Sequence, residues 1–393
     1  NKILLVHNFY GSSAPSGENT VVLSESRLLE ENGFEVRNFI EDSDKFIKLK
    51  IFGLLYAAFL MPWNFFTSFK IKKLLNKEDF NLVHIHNTFP FISPGILYGL
   101  PSGLKRVMTL HNYRIFCARG IPLRDNNICT ECINKKISFS SIKYGCYRNS
   151  RLMTIPVFML IELHKYLGTW NKKIDRFIVF SEFQKKLLVS GGLLENKISV
   201  KPNSLEDPVV INDFSKRSNS IVFVGRLSEE KGIELLLKAW SLINKHNFNL
   251  YIIGDGPLLN RLSREYSADD VIFSGRLDKN NTIKRIADSK LLVLPSITIE
   301  GFPMVILEAI SNATSVLTSN IDPLNDLVVI DRIGSVFQSG NIKDLSLRLE
   351  GLISDQIELK RLSGQCRDIF LQKYSNEVVF SKLVSIYNCD DIL

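Results

Sequence analysis

At 393 residues the chain is long for one domain, and its 45% apolar and 23% charged side chains exclude a disordered or fibrous protein. A net charge of +8 and a pI near 9.0 favour phosphate-bearing ligands or an anionic membrane surface. The lysines are scattered without aromatic interleaving or a reader motif, which argues against nucleic acid as partner.

Asn1-Lys2 leads straight into the apolar run ILLV with no small-residue cleavage site, so a cytoplasmic protein is expected. Its six cysteines then read as thiols or metal ligands before disulfides.

Ile3 to Val6 reads as a strand, followed by a polar loop with Gly11, Pro15 and Gly17 and a helix from about Asn19 to Glu31. Phe34 to Ile40, Leu82 to His86, Arg106 to His111 and Phe177 to Phe180 continue a strand–helix rhythm, which implies a doubly wound parallel sheet.

Two apolar stretches interrupt it. Phe46 to Phe69 is flanked by Lys45, Lys48, Lys50, Lys70, Lys72 and Lys73 and broken by Pro62; it fits an interfacial helix on a membrane or a core helix about equally. Met153 to Leu163 reads as a core helix.

Val200 to Ser220 loses periodicity and reads as a linker. Then SIVFVGRL, a helix from Ile233 to Lys245, LYIIGDG, DVIFSGRL and LLVLPS rebuild a second sheet of the same class. Two such domains place a ligand cleft between them.

Ser296 to Leu317 follows the last of those strands and carries Glu300 and Glu308. Pro303 suits a helix start and Gly301 a close ligand approach, so an anion there is expected. A carboxylate such as Glu308 among Val305, Ile306, Ala309 and Ile310 needs hydroxyl donors or a cation. Paired sugar hydroxyls beside a phosphate would supply the first; a neighbouring Arg or Lys is the plain alternative. Arg226 and Lys231, five residues apart in one strand-to-helix loop, can both reach a diphosphate. Gly254-Asp255-Gly256 and Ser274-Gly275-Arg276 add further tight turns at strand ends.

VGRLSEEKGI, IIGDGP, FSGRL and EGFPMVILEA, in this order and spacing, resemble the nucleotide-binding half of the retaining GT-B glycosyltransferases of family 4, or group 1. The resemblance implies a GT-B fold of two Rossmann-like domains. Residues 1–203, with a Cys-rich insertion at 113–150 and a crossover helix at 375–393, would bind the acceptor, and residues 204–374 the nucleotide-sugar.

It implies that Arg226 and Lys231 hold the donor diphosphate and that Glu308 binds the ribose. Glu300, with Gly301, Phe302 and Pro303, would face the transferred sugar, and Arg276 the base. Pro15-Ser16-Gly17-Glu18 resembles the family's glycine loop, with Gly17 at the donor. His111 matches its active-site histidine, Asn112 standing where an Asp is common, and Ser181-Glu182 and Pro202-Asn203 match two structural landmarks. Asn312-Ala313-Thr314-Ser315 and Ile321-Asp322-Pro323 depart from the family's usual glycines and proline beside the donor.

The implied reaction is retaining transfer from a nucleotide-sugar to a hydroxyl of a glycan or lipid-linked acceptor, at the inner face of a membrane, as in surface-polysaccharide (O-antigen, capsule or lipopolysaccharide) synthesis. No D-x-D pair stands where a metal-bound diphosphate needs it, so no catalytic metal is expected. A nucleotide-sugar epimerase and a catalytically silent sugar-nucleotide-binding partner stay open as alternatives. Cys117, Cys129, Cys132 and Cys146 have the number and one C-x-x-C spacing of a structural zinc site, against a plain reading as buried thiols. A similar cysteine pattern recurs in a bacterial subset of the family. Cys366 and Cys389 receive no role, and Tyr374 to Asn388 reads as an amphipathic helix with Ser375 as its cap.

Overall fold

Short apolar runs, buried on both faces, are what a parallel sheet needs when its crossovers lay helices over both sides. A computed structural model describes residues 1–388 apart from 10–16, 45–52, 54–55, 57, 125–126, 134, 136 and 209–211. By contacts the chain divides into one unit of residues 1–122, 129–202 and 380–393 and another of residues 123–128 and 203–379. Pro15 and Ser16 of the expected glycine loop, part of the Phe46 to Phe69 stretch, and Cys389 lie outside the described residues.

The first sheet uses β1 (Lys2–Phe9), β2 (Glu35–Asp42), β3 (Leu82–Ile85) and β4 (Lys105–Thr109). After a two-stranded hairpin of β5 (Leu123–Arg124) and β6 (Asn127–Ile128) come β7 (Arg176–Val179) and β8 (Ile198–Val200). The sheet order is β2-β1-β3-β4-β7-β8, all parallel, with Ile3 opposite Leu82 and Val6 opposite Ile85. Chain direction across the sheet reverses between β1 and β3.

The second sheet repeats the plan with β9 (Ser220–Val224), β10 (Asn249–Ile253), β11 (Val271–Gly275), β12 (Leu291–Leu294), β13 (Ser315–Ser319) and β14 (Gly334–Phe337). Its order is β11-β10-β9-β12-β13-β14, again parallel, reversing between β9 and β12, where Leu291 lies opposite Ile221. In such sheets the crevice at the reversal, outside the carboxyl ends of the strands, is where ligands bind. Each sheet therefore offers one such place.

Two glycines fix the loops there. Gly254 has φ +145°, and a Cβ on it would fall 1.8 Å from the Gly225 carbonyl oxygen. Gly232, at φ +66°, would collide with the Pro295 carbonyl oxygen at 1.9 Å. The turn after β9 is thus pressed between those after β10 and β12, too close for any side chain.

Boundaries differ from expectation in ways with local causes. The helix after β12 begins at Met304; Pro303 caps it in extended backbone, and Gly301 lies outside it. Pro303, expected in the first turn, is thus the cap one residue before it. Met153 to Leu163 lies within helix Arg151–Tyr166, which tolerates Pro156 near its start and buries Val157, Leu160 and Ile161. The Val200 to Ser220 linker is pinned by buried Arg217, whose guanidinium donates to the carbonyls of Asn312 and Ala313 at 2.7 Å.

The Phe46 to Phe69 stretch divides: Leu60 and Met61 are buried, while Phe59, Phe65, Phe66 and Phe69 are 78%, 64%, 59% and 70% exposed. Asn64 caps helix Phe65–Leu75, and exposed Lys72 and Lys73 sit in its last turn. No helix among the described residues is long and apolar enough to cross a membrane.

Candidate active site

In the second unit the loops after β9, β10, β11 and β12 share the carboxyl edge of one parallel sheet, which gathers Arg226, Lys231, Gly254, Gly256, Arg276 and Glu300. Lys231 and Glu300 meet at the reversal between β9 and β12: Lys231 Nζ lies 2.6 Å from Glu300 Oε1. Ser296 Oγ also donates to that oxygen at 2.6 Å, and Ile297 N donates to the Glu230 carbonyl at 3.0 Å, tying the two loops together. The lysine expected on a diphosphate and the carboxylate expected on a sugar are thus neighbours. A ligand entering here meets a cation and an anion held side by side, which suits a molecule bearing both phosphate and hydroxyls.

Glu308 behaves otherwise. It lies in the second turn of helix Met304–Ser311, and among the described residues its carboxylate has no hydrogen-bond or ion-pair partner; the plain alternative of a neighbouring Arg or Lys is not realised. Burial raises its pKa, with only the more distant charge of Lys279 opposing. A half-buried carboxylate without a protein donor is an acceptor available to ligand hydroxyls.

Arg226 and Arg276 are exposed at their strand ends, without a described partner. Phe302 packs its ring 5.8 Å from Tyr374, and its carbonyl accepts from Asn203 Nδ2 at 3.3 Å. The departure at Ala313 has a visible consequence: the residue takes φ +55°, a region that favours glycine, while its carbonyl accepts from Arg217 and from Ser363 Oγ.

In the first unit His111 follows β4, and a small pocket is lined by His86, Thr109, His111, Asn112, Arg114 and Trp170. His111 Nε2 lies 3.0 Å from His86 Nδ1. Behind them is a buried cluster: Glu25 Oε1 lies 3.3 Å from His86 Nε2 and 3.2 Å from His84 Nδ1, and Glu25 Oε2 accepts from Lys201 Nζ at 2.8 Å. His84 further contacts Tyr387 Oη at 2.7 Å and Thr109 Oγ1 at 2.8 Å. Burial opposes the charge on Glu25, but Lys201 and the two histidines hold its carboxyl well below the usual range. Burial and the neighbouring histidines likewise keep His111 well below its usual value, hence neutral.

Glu25, His84, His86 and Lys201 are absent from the expected site. Glu25 sits with Val22, Ser26 and Leu29 on the buried face of helix Gly17–Glu31, and that spacing puts a carboxylate in a core stripe. Gly17, the first residue of that helix, is exposed. Glu18 follows it and hydrogen-bonds the Asn112 side chain; burial, partly offset by Arg114 and Asn112, pushes its pKa to about 8.

Cys117, Cys129, Cys132 and Cys146 are free, partly buried thiols. Burial raises Cys146 to about 11, and the other three cysteines add to the shift, which marks them as one neighbourhood. They are less tightly drawn than Glu25, His84 and His86, the one group among the described residues with three metal-capable atoms within 4.8 Å of one another.

Two family models match the chain one after the other: one described as Glycosyltransferase Family 4 over residues 15–207 and one described as Glycosyl transferases group 1 over residues 209–368. The capsular polysaccharide biosynthesis glycosyltransferase CapM of Staphylococcus aureus is 25% identical over 316 residues, covering 74% of this chain and 80% of that protein. The UDP-Gal:alpha-D-GlcNAc-diphosphoundecaprenol alpha-1,3-galactosyltransferase of Escherichia coli is 25% identical over 403 residues, 95% of this chain and 93% of its own. Among solved structures, Anabaena HepE in complex with UDP-glucose superposes with a TM-score of 0.63 at 14% identity, covering 98% of both chains.

Proposed function

The chain belongs to the group 1, family 4 glycosyltransferases of GT-B fold, and from that premise we propose that it transfers a sugar from a nucleotide-sugar to a lipid-linked glycan with retention of configuration and without a catalytic metal. The observation that carries this reading is the Lys231–Glu300 pair at the strand-order reversal of the second sheet, with Glu308, which has no partner among the described residues, on the following helix.

Lys231 and Arg226 take the diphosphate and neutralise the charge that develops on it as the glycosidic bond breaks. Gly301, Phe302 and Pro303 bring backbone close to it. Glu300, relieved of Lys231 by the phosphate, accepts from hydroxyls of the transferred sugar; Glu308 accepts from the ribose, and Arg276 lies by the base. The departing phosphate oxygen receives the acceptor's proton on the face from which it leaves, so the anomeric configuration is kept. The resemblance gives His111 the role of binding the reacting sugar and Gly17 that of letting the donor approach the start of its helix.

A glycan or lipid-linked acceptor is supported by the names of two relatives, one a capsular polysaccharide biosynthesis glycosyltransferase and one a galactosyltransferase acting on an alpha-D-GlcNAc-diphosphoundecaprenol. The exposed Phe59, Phe65, Phe66 and Phe69 beside Lys72 and Lys73 support contact with the inner face of an anionic membrane. The four cysteines fit a structural zinc in kind and number, with Cys117, Cys129, Cys132 and Cys146 as thiolate ligands that fasten the insertion.

The reading is tested by a thermal-shift screen of nucleotide-sugars, followed by transfer to a polyprenyl-diphosphate glycan in EDTA and analysis of the product anomer. Donor-dependent stabilisation and an axial or equatorial linkage matching the donor are expected. A strict requirement for added Mg²⁺ overturns the metal-free part, and an inverted anomer the retaining part.

A further inference from the structure

Behind His111 the first unit holds a chain of buried groups whose donors and acceptors can be assigned by elimination. Glu25 is 6% exposed, His84 0% and His86 3%, so bulk solvent does not reach them. Glu25 is ionised against the Lys201 ammonium and can only accept. His86 is neutral, its pKa brought down to about 4 by burial and by His84 despite the pull of Glu25, and so carries one proton. Its Nε2 lies 3.3 Å from Glu25 Oε1, which His84 Nδ1 also approaches at 3.2 Å; the contact is electrostatic and not an aligned hydrogen bond, but a lone pair on Nε2 would face the carboxylate and be repelled. The proton of His86 therefore belongs on Nε2. That leaves a lone pair on Nδ1, which faces His111 Nε2 at 3.0 Å and needs a donor there.

We propose that Glu25 and His86 are positioning residues that lock neutral His111 with its proton on Nε2 and its lone pair on Nδ1, so that it meets the substrate only as an acceptor from a hydroxyl. This rests on the reading above that His111 binds the reacting sugar. A histidine locked this way rejects a phosphate oxygen or a carboxylate at that position, because two acceptors would face each other. It recognises a sugar that offers an O–H there and disfavours its deoxy or carboxylated analogue. Thr109 Oγ1 meets His84 Nε2 at 2.8 Å, Tyr387 Oη meets its Nδ1 at 2.7 Å, and Asn19 Oδ1 lies 3.0 Å from His7 Nε2.

The same three groups, Glu25, His84 and His86, bring metal-capable atoms within 4.8 Å of one another. Lys201 decides against a cation: its ammonium, 4% exposed, is already the counter-charge of the one carboxylate, and a divalent ion beside it would be repelled in a site with no water to screen it.

The test is a long-range ¹H–¹⁵N correlation spectrum of the full chain labelled with [¹⁵N]histidine at neutral pH, with His111 assigned from a His111→Gln variant. The expected His111 pattern is a pyrrole-type Nε2 and a pyridine-type Nδ1. A protonated Nδ1, or an imidazolium pattern, overturns the proposal. His86→Phe removes the acceptor, and His111 should then show nitrogens averaged between tautomers; an unchanged locked pattern there also overturns it. If that variant does not fold, the wild-type spectrum alone decides. Shifts of the His84 and His86 nitrogens on adding Zn²⁺ would make the cluster a metal site and sink the assignment. Donor binding is scored separately by thermal shift, so a protein with the lock intact but no response to any nucleotide-sugar loses the transferase reading and keeps the tautomer.

Discussion

Lys231 Nζ and Glu300 Oε1 stand 2.6 Å apart although 69 residues separate them, because β9 and β12 are neighbours where the second sheet reverses its order. Opposite charges held side by side in a ligand crevice are a pair to be parted by a ligand with matching groups.

That pairing predicts a split between two substitutions. Lys231→Met should weaken both a nucleoside diphosphate and its sugar conjugate by about 10- to 100-fold, the loss of one charge-assisted hydrogen bond of about 1.5–3 kcal/mol. Glu300→Gln should leave the bare diphosphate bound as well as before, or better, and weaken only the sugar conjugate. Calorimetric titration with UDP and UDP-glucose, taken as probes, measures the split. If each variant binds both probes as the wild type does, the pair is structural and the donor site lies elsewhere.

Glu308 predicts opposite signs for stability and binding. Burial raises its carboxyl, so its contribution to stability is complete below the unfolded-state value near 4.5 and is lost as pH rises through the raised one. Glu308→Gln should therefore melt at or above the wild-type temperature at pH 8 while binding the donor about tenfold more weakly, near 1.4 kcal/mol. Wild-type donor affinity should also fall on acidification sooner than an ordinary carboxylate allows. A variant that melts lower at pH 8 and binds normally would show Glu308 to be a packing residue.

Much of the fold was legible because LLVL, IVFV and YIIG are short apolar runs of the kind that strands covered by helices use, bounded by glycine or proline. Strand order is not written in such runs, and with it went the contact of Lys231 with Glu300. The Glu25 cluster was hidden differently: its members come from helix Gly17–Glu31, β3 and the end of β8, and each alone reads as an ordinary surface or loop residue. Glu25 in step with Val22 and Leu29 was the one local clue, since a lone carboxylate in an apolar stripe requires partners that the sequence does not name.

Ala313 carries a strain that a glycine would not. Its φ of +55° disfavours a Cβ, and Arg217 and Ser363 hold its carbonyl so that the backbone cannot relax. Ala313→Gly should raise stability by about 0.5–1 kcal/mol in urea titration, the relief of that conformation less the greater freedom of glycine when unfolded. Ala313→Val should cost more than about 1 kcal/mol at the same site, being bulkier and β-branched. Equal midpoints for all three proteins would mean that the backbone there adjusts freely.

Glu18 gives the clearest pH signature. It opens helix Gly17–Glu31 beside Asn112, one residue from His111, and burial lifts its pKa to about 8 against the pull of Arg114 and Asn112. The folded protein therefore holds a proton there at neutral pH that the unfolded chain has released. Stability from this group is full below about 4.5 and is lost as pH rises through about 8. Glu18→Gln mimics the protonated acid and has nothing to lose. Its melting temperature should match the wild type near pH 4.5 and exceed it increasingly up to pH 9, a gap worth more than about 1 kcal/mol at the top of the range. A gap that is constant with pH would mean that Glu18 titrates alike in the folded and unfolded chain and is ionised in the folded state at neutral pH.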